Sequence, residues 1–482
     1  MIVGIDIGTQ SLKVVVTDDD LNVFGEAATA YQPSFPIPGW AEQDPAVWEK
    51  ALAPTIARAL SNANVQTGDV SAIGIGGQLD GCVPVDNHGN ATHPCIIWMD
   101  RRAEEQIIGL PVEEIQERTG VNLDSTHLAA KIRWLKENTG ETGQGSRYHV
   151  PVSYLIQRLT GIHVVDHAHA STSMLYSLNN RMYDPWLLDL FDIGEHELPS
   201  IADATDIAGS LTREGARLTG LSEGTLMAVG TGDDFSTPLG AGISRPGRVT
   251  CVLGTAEVVG ALHDKPIIDN KGLVETHAYV GGGFFIENPG WLSGGALEWF
   301  RSTFRIDSFK ELDALASDIP PGAGGVTFLP GLSGTMSPKW VASARGCFYG
   351  LTPACETGHM ARAMLEGTAF AMRDVIERLM AMGVESRSIL VLGGGAKSQV
   401  WAQVRADLTG LPVDIPTITD TAPIGSAILA AVAASIQPDL ISATNKVGDT
   451  RLTIEPNHSL KASYDVAYES YQKLFHSLVP MF

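Results

Sequence analysis

The chain is poor in cysteine and in positive charge, and it has no long uninterrupted apolar run. Its five cysteines, Cys82, Cys95, Cys251, Cys347 and Cys355, are odd in number and form no CxxC pair. A disulfide framework or a zinc site needs denser, regularly spaced thiols, so reduced thiols are expected. Lysine and arginine total 33 against 55 acids, a net charge of −22. That excludes a binder of nucleic-acid backbones, which needs basic patches. It leaves a mononucleotide open, because such a site uses local backbone N–H groups and Mg²⁺. The longest apolar run, Ile424–Ile436, has 13 residues with two serines inside, Ser426 and Ser435, short of the ~20 that a spanning helix needs. The first ten residues, MIVGIDIGTQ, carry an acid and no basic stretch, so they do not read as a secretion signal. The expectation is a soluble, cytoplasmic protein with no membrane or nucleic-acid partner.

Glycine, by contrast, is abundant: 51 of 482 residues, above the usual share of ~7 %. The glycines cluster in short apolar contexts, as turns close to a ligand require. Residues Ile2–Asp6, Leu12–Thr17 and Asn22–Ala27 read as three strands of a meander, with Gly8-Thr9 at the first bend. Asp44 is an N-cap and Pro45 a first helical residue, followed by Trp48, Leu52 and Ile56 at helical spacing. Val70–Gly76 reads as another strand, and Lys131–Leu135 and Val152–Leu159 as helical. The second half opens alike: strand Arg248–Leu253, turn Gly254-Thr255, strand Val258–Leu262. Val3–Val16 and Val249–Leu262 therefore form a weak internal repeat. It predicts two similar α/β domains joined near 236–248. Further on, the pattern predicts a helix over Met360–Met382, a strand over Ser388–Leu392, a glycine turn at 393–396, a helix over Gln399–Leu408, a strand over Val413–Ile415 and a last, apolar helix over Pro423–Ala434.

Four segments carry chemistry. In the first, Asp6 ends a strand and Gly8, Thr9, Gln10, Ser11 and Lys13 follow in a hairpin. Its N–H groups and hydroxyls can donate to phosphate oxygens, and Asp6 can hold Mg²⁺ through water; an ordinary β-turn with a solvated Asp is the plain alternative. In the second, Asp233 and Asp234 follow Gly230-Thr231-Gly232. A carboxylate there suits a base that takes a hydroxyl proton, while a simple turn or helix cap is the plainer reading of the segment taken alone. The third, Gly393 to Ala396, is either a wall against adenosine or a tight connection; no Lys-Ser/Thr follows, so it is not a Walker loop. The fourth comprises Gln78, Leu79 and Asp80 after a glycine turn at Gly76-Gly77, with Trp98 and Asp100. These offer polar groups and an aromatic face to a polyhydroxy ligand. A core Trp98 and a surface Asp100–Arg102 ion pair are the alternatives.

Together these segments resemble the FGGY carbohydrate kinases over nearly the whole chain. The C-terminal signature of that family is matched by Gly346, Gly350-Leu351, then seven residues, then His359 to Glu366. The N-terminal signature is half present: Lys131 to Asn138 fits, but Leu128 stands where Pro, Ser or Thr is usual. The segments Trp40–Pro45, Gly77-Gln78, Trp98–Asp100, Gly232-Asp233 and Phe328–Gly334 resemble the xylulokinase branch in order. The resemblance implies two ribonuclease-H-like domains of the actin/hexokinase superfamily around a central cleft, with 1–242 binding sugar and 243–482 binding ATP. It implies Asp233 as catalytic base, Asp6 and Gly8–Lys13 as the first phosphate loop, Gly254 and Thr255 as the second, and Gly394, Gly395 and Ala396 at adenosine. Gln78, Leu79, Asp80, Trp98, Asp100, Asp233 and Asp234 would face the sugar. ATP and Mg²⁺ are the expected cofactors; a homodimer is left open. In two places the chain departs from that branch: Asp80 replaces a histidine and Asp234 an asparagine. Two extra carboxylates change the hydrogen-bonding inventory, so the substrate is D-xylulose or another ketopentose, polyol or amino sugar. A non-catalytic sugar sensor and an actin-like ATPase are the rival readings.

Overall fold

The computed structural model describes residues 1–139 and 146–482. Its first sheet is assembled from β1 (Ile2–Ile7), β2 (Ser11–Thr17), β3 (Val23–Ala30), β4 (Ala72–Gly77), β5 (Ile207–Ser210), β6 (Leu226–Ala228) and β7 (Thr231–Gly232). The strand order is β5-β6-β4-β1-β2-β3, with β7 beside the end of β4. All six residues of β1 are buried, as a central strand covered on both faces requires. The helix α1 (Pro45–Ala63) is started by the Asp44 side chain, which accepts from the Ala46 N–H, and it buries Trp48, Leu52 and Ile56 as the spacing predicts.

The second sheet repeats the plan. It contains β8 (Gly247–Leu253), β9 (Ala256–His263), β10 (Glu275–Ala278), β11 (Phe284–Leu292), β12 (Ser386–Leu392), β13 (Val413–Pro416) and β14 (Thr450–Ile454). Their order is β10-β11-β9-β8-β12-β13-β14. In each sheet a hairpin, β1–β2 or β8–β9, has a parallel strand on one flank and an antiparallel strand on the other. The weak sequence repeat is thus a repeat of topology.

The halves exchange helices. α3 (Asp233–Gly240) follows β7, and its Phe235 packs edge-on against His277, Tyr279 and Phe285 of the second half. In return α7 (Ala422–Ala433) lies flat on β1 and β4: a Cβ on Gly4 would sit 1.9 Å from the Pro423 carbonyl oxygen, and one on Gly74 2.0 Å from that of Ser426. One apolar cluster accordingly runs through Ile2, Phe235, Leu239, Phe285, Leu392 and Ile428. The remaining helices used below are α2 (Leu128–Asn138), α4 (Gly294–Thr303), α5 (Thr357–Ala381), α6 (Gln399–Thr409) and α8 (Lys461–Leu478).

Two expectations need correction. α7 is not the last helix, because α8 follows and buries Tyr464, Tyr468, Tyr471 and Phe475. Those rings recur at i, i+4, i+7 and i+11, a helical stripe disguised by tyrosine. The Gly76-Gly77 pair is not a turn but the end of β4; Cβ atoms there would meet Ser426 and Ser236, or Ile7. Among the described residues no helix is long and apolar enough to cross a membrane.

Candidate active site

The first hairpin is held from several sides. Gly8 N–H donates to the Ser11 carbonyl at 3.0 Å. The Tyr31 hydroxyl donates to the Gly8 carbonyl (2.8 Å), the Gln43 amide to the Thr9 carbonyl (2.8 Å) and the Trp98 indole N–H to Thr9 Oγ1 (2.9 Å). Trp98 is 40 % exposed, so it braces the hairpin with an open ring face rather than filling a core. At the base of the hairpin Asp6 is buried, with Oδ1 lacking any partner and Oδ2 3.9 Å from Lys13 Nζ. Lys13 is shared with Asp420, 2.7 Å away. Burial and the neighbouring Asp233 push Asp6 up to about 8, with Lys13 opposing.

The second hairpin turns at Gly254-Thr255, and the start of α4 closes on it. The Ser293 and Gly295 N–H groups donate to the Thr255 carbonyl at 3.1 and 3.0 Å. Beneath lies a fully buried ion pair, Glu257 with Arg405 of α6, at 2.6 and 2.8 Å, and the Ser293 hydroxyl donates to Glu257 at 2.6 Å. Gly393–Lys397 comes up beside this hairpin. A Cβ on Gly395 would strike Leu253 at 2.6 Å, and Gly393 has φ +77 and is equally crowded, so packing demands both. Gly394 is different: a Cβ there meets nothing within 4 Å. Its small size leaves open space and serves no packing need.

Asp233 and Asp234 open α3 and keep part of their surface accessible. Burial raises Asp233 to about 6, while its own and the Asp234 backbone N–H and Lys13 pull it down. Asp234 is raised well above the usual carboxylate range by burial and then by Asp233 and Asp80. These mutual effects bring Asp6, Lys13, Asp80, Asp233 and Asp234 into one electrostatic unit.

The other predicted residues divide. Gln78 donates to Gln43 at 2.8 Å and leaves Oε1 unpartnered. Leu79 lies over Gly232, where a Cβ would stand 2.0 Å from a Leu79 methyl. Asp80 has φ +52 and stands 3.4 Å from His127. Asp100 is not at the surface, nor is it free for a ligand. Both its oxygens are engaged by Arg102, and it also accepts from the Ala41 N–H. Arg102 stacks 3.7 Å over Trp40 and reaches Glu42 at 2.8 Å. Asp100 positions this corner.

Several buried polar residues near Asp80 gave no sequence signal: His127, His169, Glu275, His277 and Glu287. Glu275 and His277 share β10, and Glu275 pairs with Glu287 of β11, while His127 and His169 come from separate segments of the first half. Glu257 could have been found, as the one acid inside the apolar stretch Ala256–Leu262.

Two topologically equivalent α/β units, each offering a glycine hairpin to a shared cleft with carboxylates at strand and helix ends, define a two-domain sugar kinase fold of the actin/hexokinase type. The chain belongs to the FGGY family of carbohydrate kinases: the family's N-terminal domain matches residues 1–240 and its C-terminal domain residues 249–434. It is 32 % identical over 446 residues to a glycerol kinase of Gloeobacter violaceus, covering 89 % of this chain and 87 % of the relative. It is 30 % identical over 492 residues to the L-xylulose/3-keto-L-gulonate kinase of Escherichia coli, covering 98 % and 96 %. The crystal structure of a xyloylose kinase from Brucella ovis superposes with a TM-score of 0.93 at 28 % identity, covering 100 % of this chain and 99 % of that one.

Proposed function

We propose that the protein transfers the γ-phosphoryl group of ATP to a hydroxyl of a small ketose or polyol, residues 1–242 forming the sugar half and 243–482 the ATP half. The observation that carries this reading is the placement of Asp233, a partly accessible carboxyl group at the first residue of α3, which burial raises to about 6. A general base works best with a pKa near the working pH. Asp233 accepts the proton of the attacking hydroxyl while the new O–P bond forms and the bridging oxygen leaves with ADP. Backbone N–H groups of Thr9–Ser11 and Thr255 face the phosphates, while those of Gly8 and Gly254 close the hairpins on the Ser11 and Ala256 carbonyls and keep the turns preorganised. The open space at Gly394 admits the adenosine.

Asp6 fits a magnesium ion. Its unpartnered Oδ1 is buried, and among the described residues no group of three or more His, Cys, Asp or Glu could hold a metal unaided. Mg²⁺ suits that arrangement, because it takes one or two carboxylates, water and substrate phosphates. When bound it supplies charge neutralisation for the phosphates. Gln78 and Asp80 orient the sugar, Leu79 and the open face of Trp98 cover its C–H surface, and Asp100 holds the Trp40–Arg102 corner. D-Xylulose is the first candidate acceptor. Asp80 and Asp234, which depart from the xylulokinase pattern, favour another ketose or polyol as the second. The presence of both Asp6 and Asp233 argues against a non-catalytic sensor.

ADP release from Mg·ATP by the purified protein, measured against ketoses and polyols of three to six carbons, tests the reading. Turnover dependent on one acceptor is expected; ATP and sugar binding without ADP release would replace the kinase with a sensor.

A further inference from the structure

The residues around Asp80 form a continuous wall. Asp80 Oδ2 is 3.4 Å from His127 Nδ1, and His127 Nε2 is 3.7 Å from Glu275. Glu275 is 3.7 Å from His277 Nε2, which is 3.5 Å from Glu287. Asp80 and His127 come from the first half, Glu275, His277 and Glu287 from β10 and β11 of the second. β10 is docked on the first half: the Asn122 N–H donates to Glu275 at 2.8 Å and the Ala278 N–H to Ser171 Oγ at 3.0 Å.

This wall is unsatisfied. Asp80 Oδ1, both nitrogens of His127, His277 Nδ1 and Glu287 Oε2 are buried atoms without a hydrogen-bond partner. Buried polar atoms are rarely left so, and each costs free energy until a partner arrives. The wall also adjoins the proposed base: Glu287 is raised well above its ordinary range by burial and then by Asp234, Glu275 and Asp233. The cations in electrostatic reach are already engaged. Lys13 is held by Asp420 and Asp6, Lys131 donates to the Asp80 carbonyl oxygen, and His127 faces Asp80 and Glu275.

We infer that Asp80, His127, Glu275, His277 and Glu287, with Asp234, are the specificity wall of the acceptor site, and that it takes uncharged or amine-bearing polyhydroxy substrates and refuses sugar acids. The inference rests on the kinase reading above and deepens it. Ligand hydroxyls both donate and accept, so they can satisfy the orphaned carboxyl oxygens and imidazole nitrogens alike. A carboxylate can only accept. It would meet the Asp80 and Glu275 carboxyl groups, with His127 already shared between them at 3.4 and 3.7 Å, and like-charge juxtaposition at an interface is strongly disfavoured. This separates the chain from its Escherichia coli relative, whose name includes a keto-gulonate.

The test uses matched acceptors that differ only in CH₂OH against COO⁻, such as D-glucitol with D-gluconate and xylitol with D-xylonate, beside D-xylulose. For the wild type, kcat/KM is expected to favour the neutral member by roughly 100-fold or more, the scale of a like-charge penalty. Asp80→Asn, checked for an unchanged melting temperature, should shrink that ratio by about ten-fold, chiefly through the KM of the acid. If Asp80→Asn is unstable, Glu275→Gln, which changes the other carboxyl group facing His127, takes its place with the same expectation. An acid turned over within about three-fold of its neutral partner, or a ratio unmoved in a folded variant, overturns the inference. If no acceptor supports ADP release, the kinase reading fails by itself. Calorimetric binding of the same pairs then still decides the wall: preference for the neutral member upholds it, and equal binding removes it.

Discussion

The two hairpins share a topology and differ in how their charges are settled. Beneath the second, Glu257 and Arg405 are wholly buried and bonded to each other, with Ser293 completing the set. Beneath the first, Asp6 is equally buried but keeps one oxygen unpartnered, leans on a partly exposed Lys13, and is strained by Asp233. A closed pair makes a rigid platform. An open one stores unfavourable electrostatics that a ligand can relieve. The same protein plan thus yields one half that holds shape and one half that waits for chemistry.

Breaking the closed pair should have the largest effect on stability. Glu257→Gln leaves the Arg405 charge buried and unmatched, a change that costs about 3–5 kcal/mol, read as a lower midpoint in urea unfolding. The equivalent change on the open side, Asp6→Asn, should leave the midpoint unchanged at neutral pH and raise it above about pH 8, where Asp6 would otherwise carry a strained charge, while ADP release falls roughly 10²-fold. Equal destabilisation by the two variants would erase the contrast.

A smaller effect separates glycines of two kinds. Gly4→Ala drives a methyl into the Pro423 carbonyl and should cost about 1–3 kcal/mol or more, as overpacking does. Gly394→Ala has open space and should leave the melting temperature alone while raising the KM for ATP. A Gly394→Ala enzyme with unchanged ATP affinity would remove that turn from the nucleotide site.

The pH dependence sharpens the comparison further. Asp6 and Asp233 have folded-state pKa values raised to about 8 and about 6, above the ~3.9 of an unfolded aspartate. The folded state therefore binds more protons than the unfolded state in that range. Their contribution to stability is full below the unfolded value and is lost as pH rises through about 6 and then about 8. The ligand-free protein should melt lower at pH 8.5 than at pH 5.5 by more than Asp6→Asn does. Activity runs the other way: kcat/KM should fall as pH drops through about 6 and Asp233 takes up its proton.

Much of this was legible in the chain. The strand–turn–strand repeat, the Asp6 hairpin and Asp233-Asp234 lie within single segments, where local pattern and chemistry coincide. The tyrosine stripe of α8 was equally local but masked by polar rings. The fate of Asp100 was not legible, because an Asp two residues from an Arg reads as a surface pair until Trp40 and Ala41 fold over it. The wall of His127, Glu275, His277 and Glu287 has no sequence motif at all. It exists only because β10 pairs with β11 and docks against the first half, a contact between residues some 150 positions apart.

The central claim is that Asp233 is the base of a carbohydrate kinase. The most direct measurement is ADP release at saturating Mg·ATP and the best acceptor for wild type and Asp233→Ala, with ATP affinity measured in parallel. A loss of roughly 10²–10⁴-fold with ATP binding retained is the predicted result. Turnover within about ten-fold of wild type would contradict it.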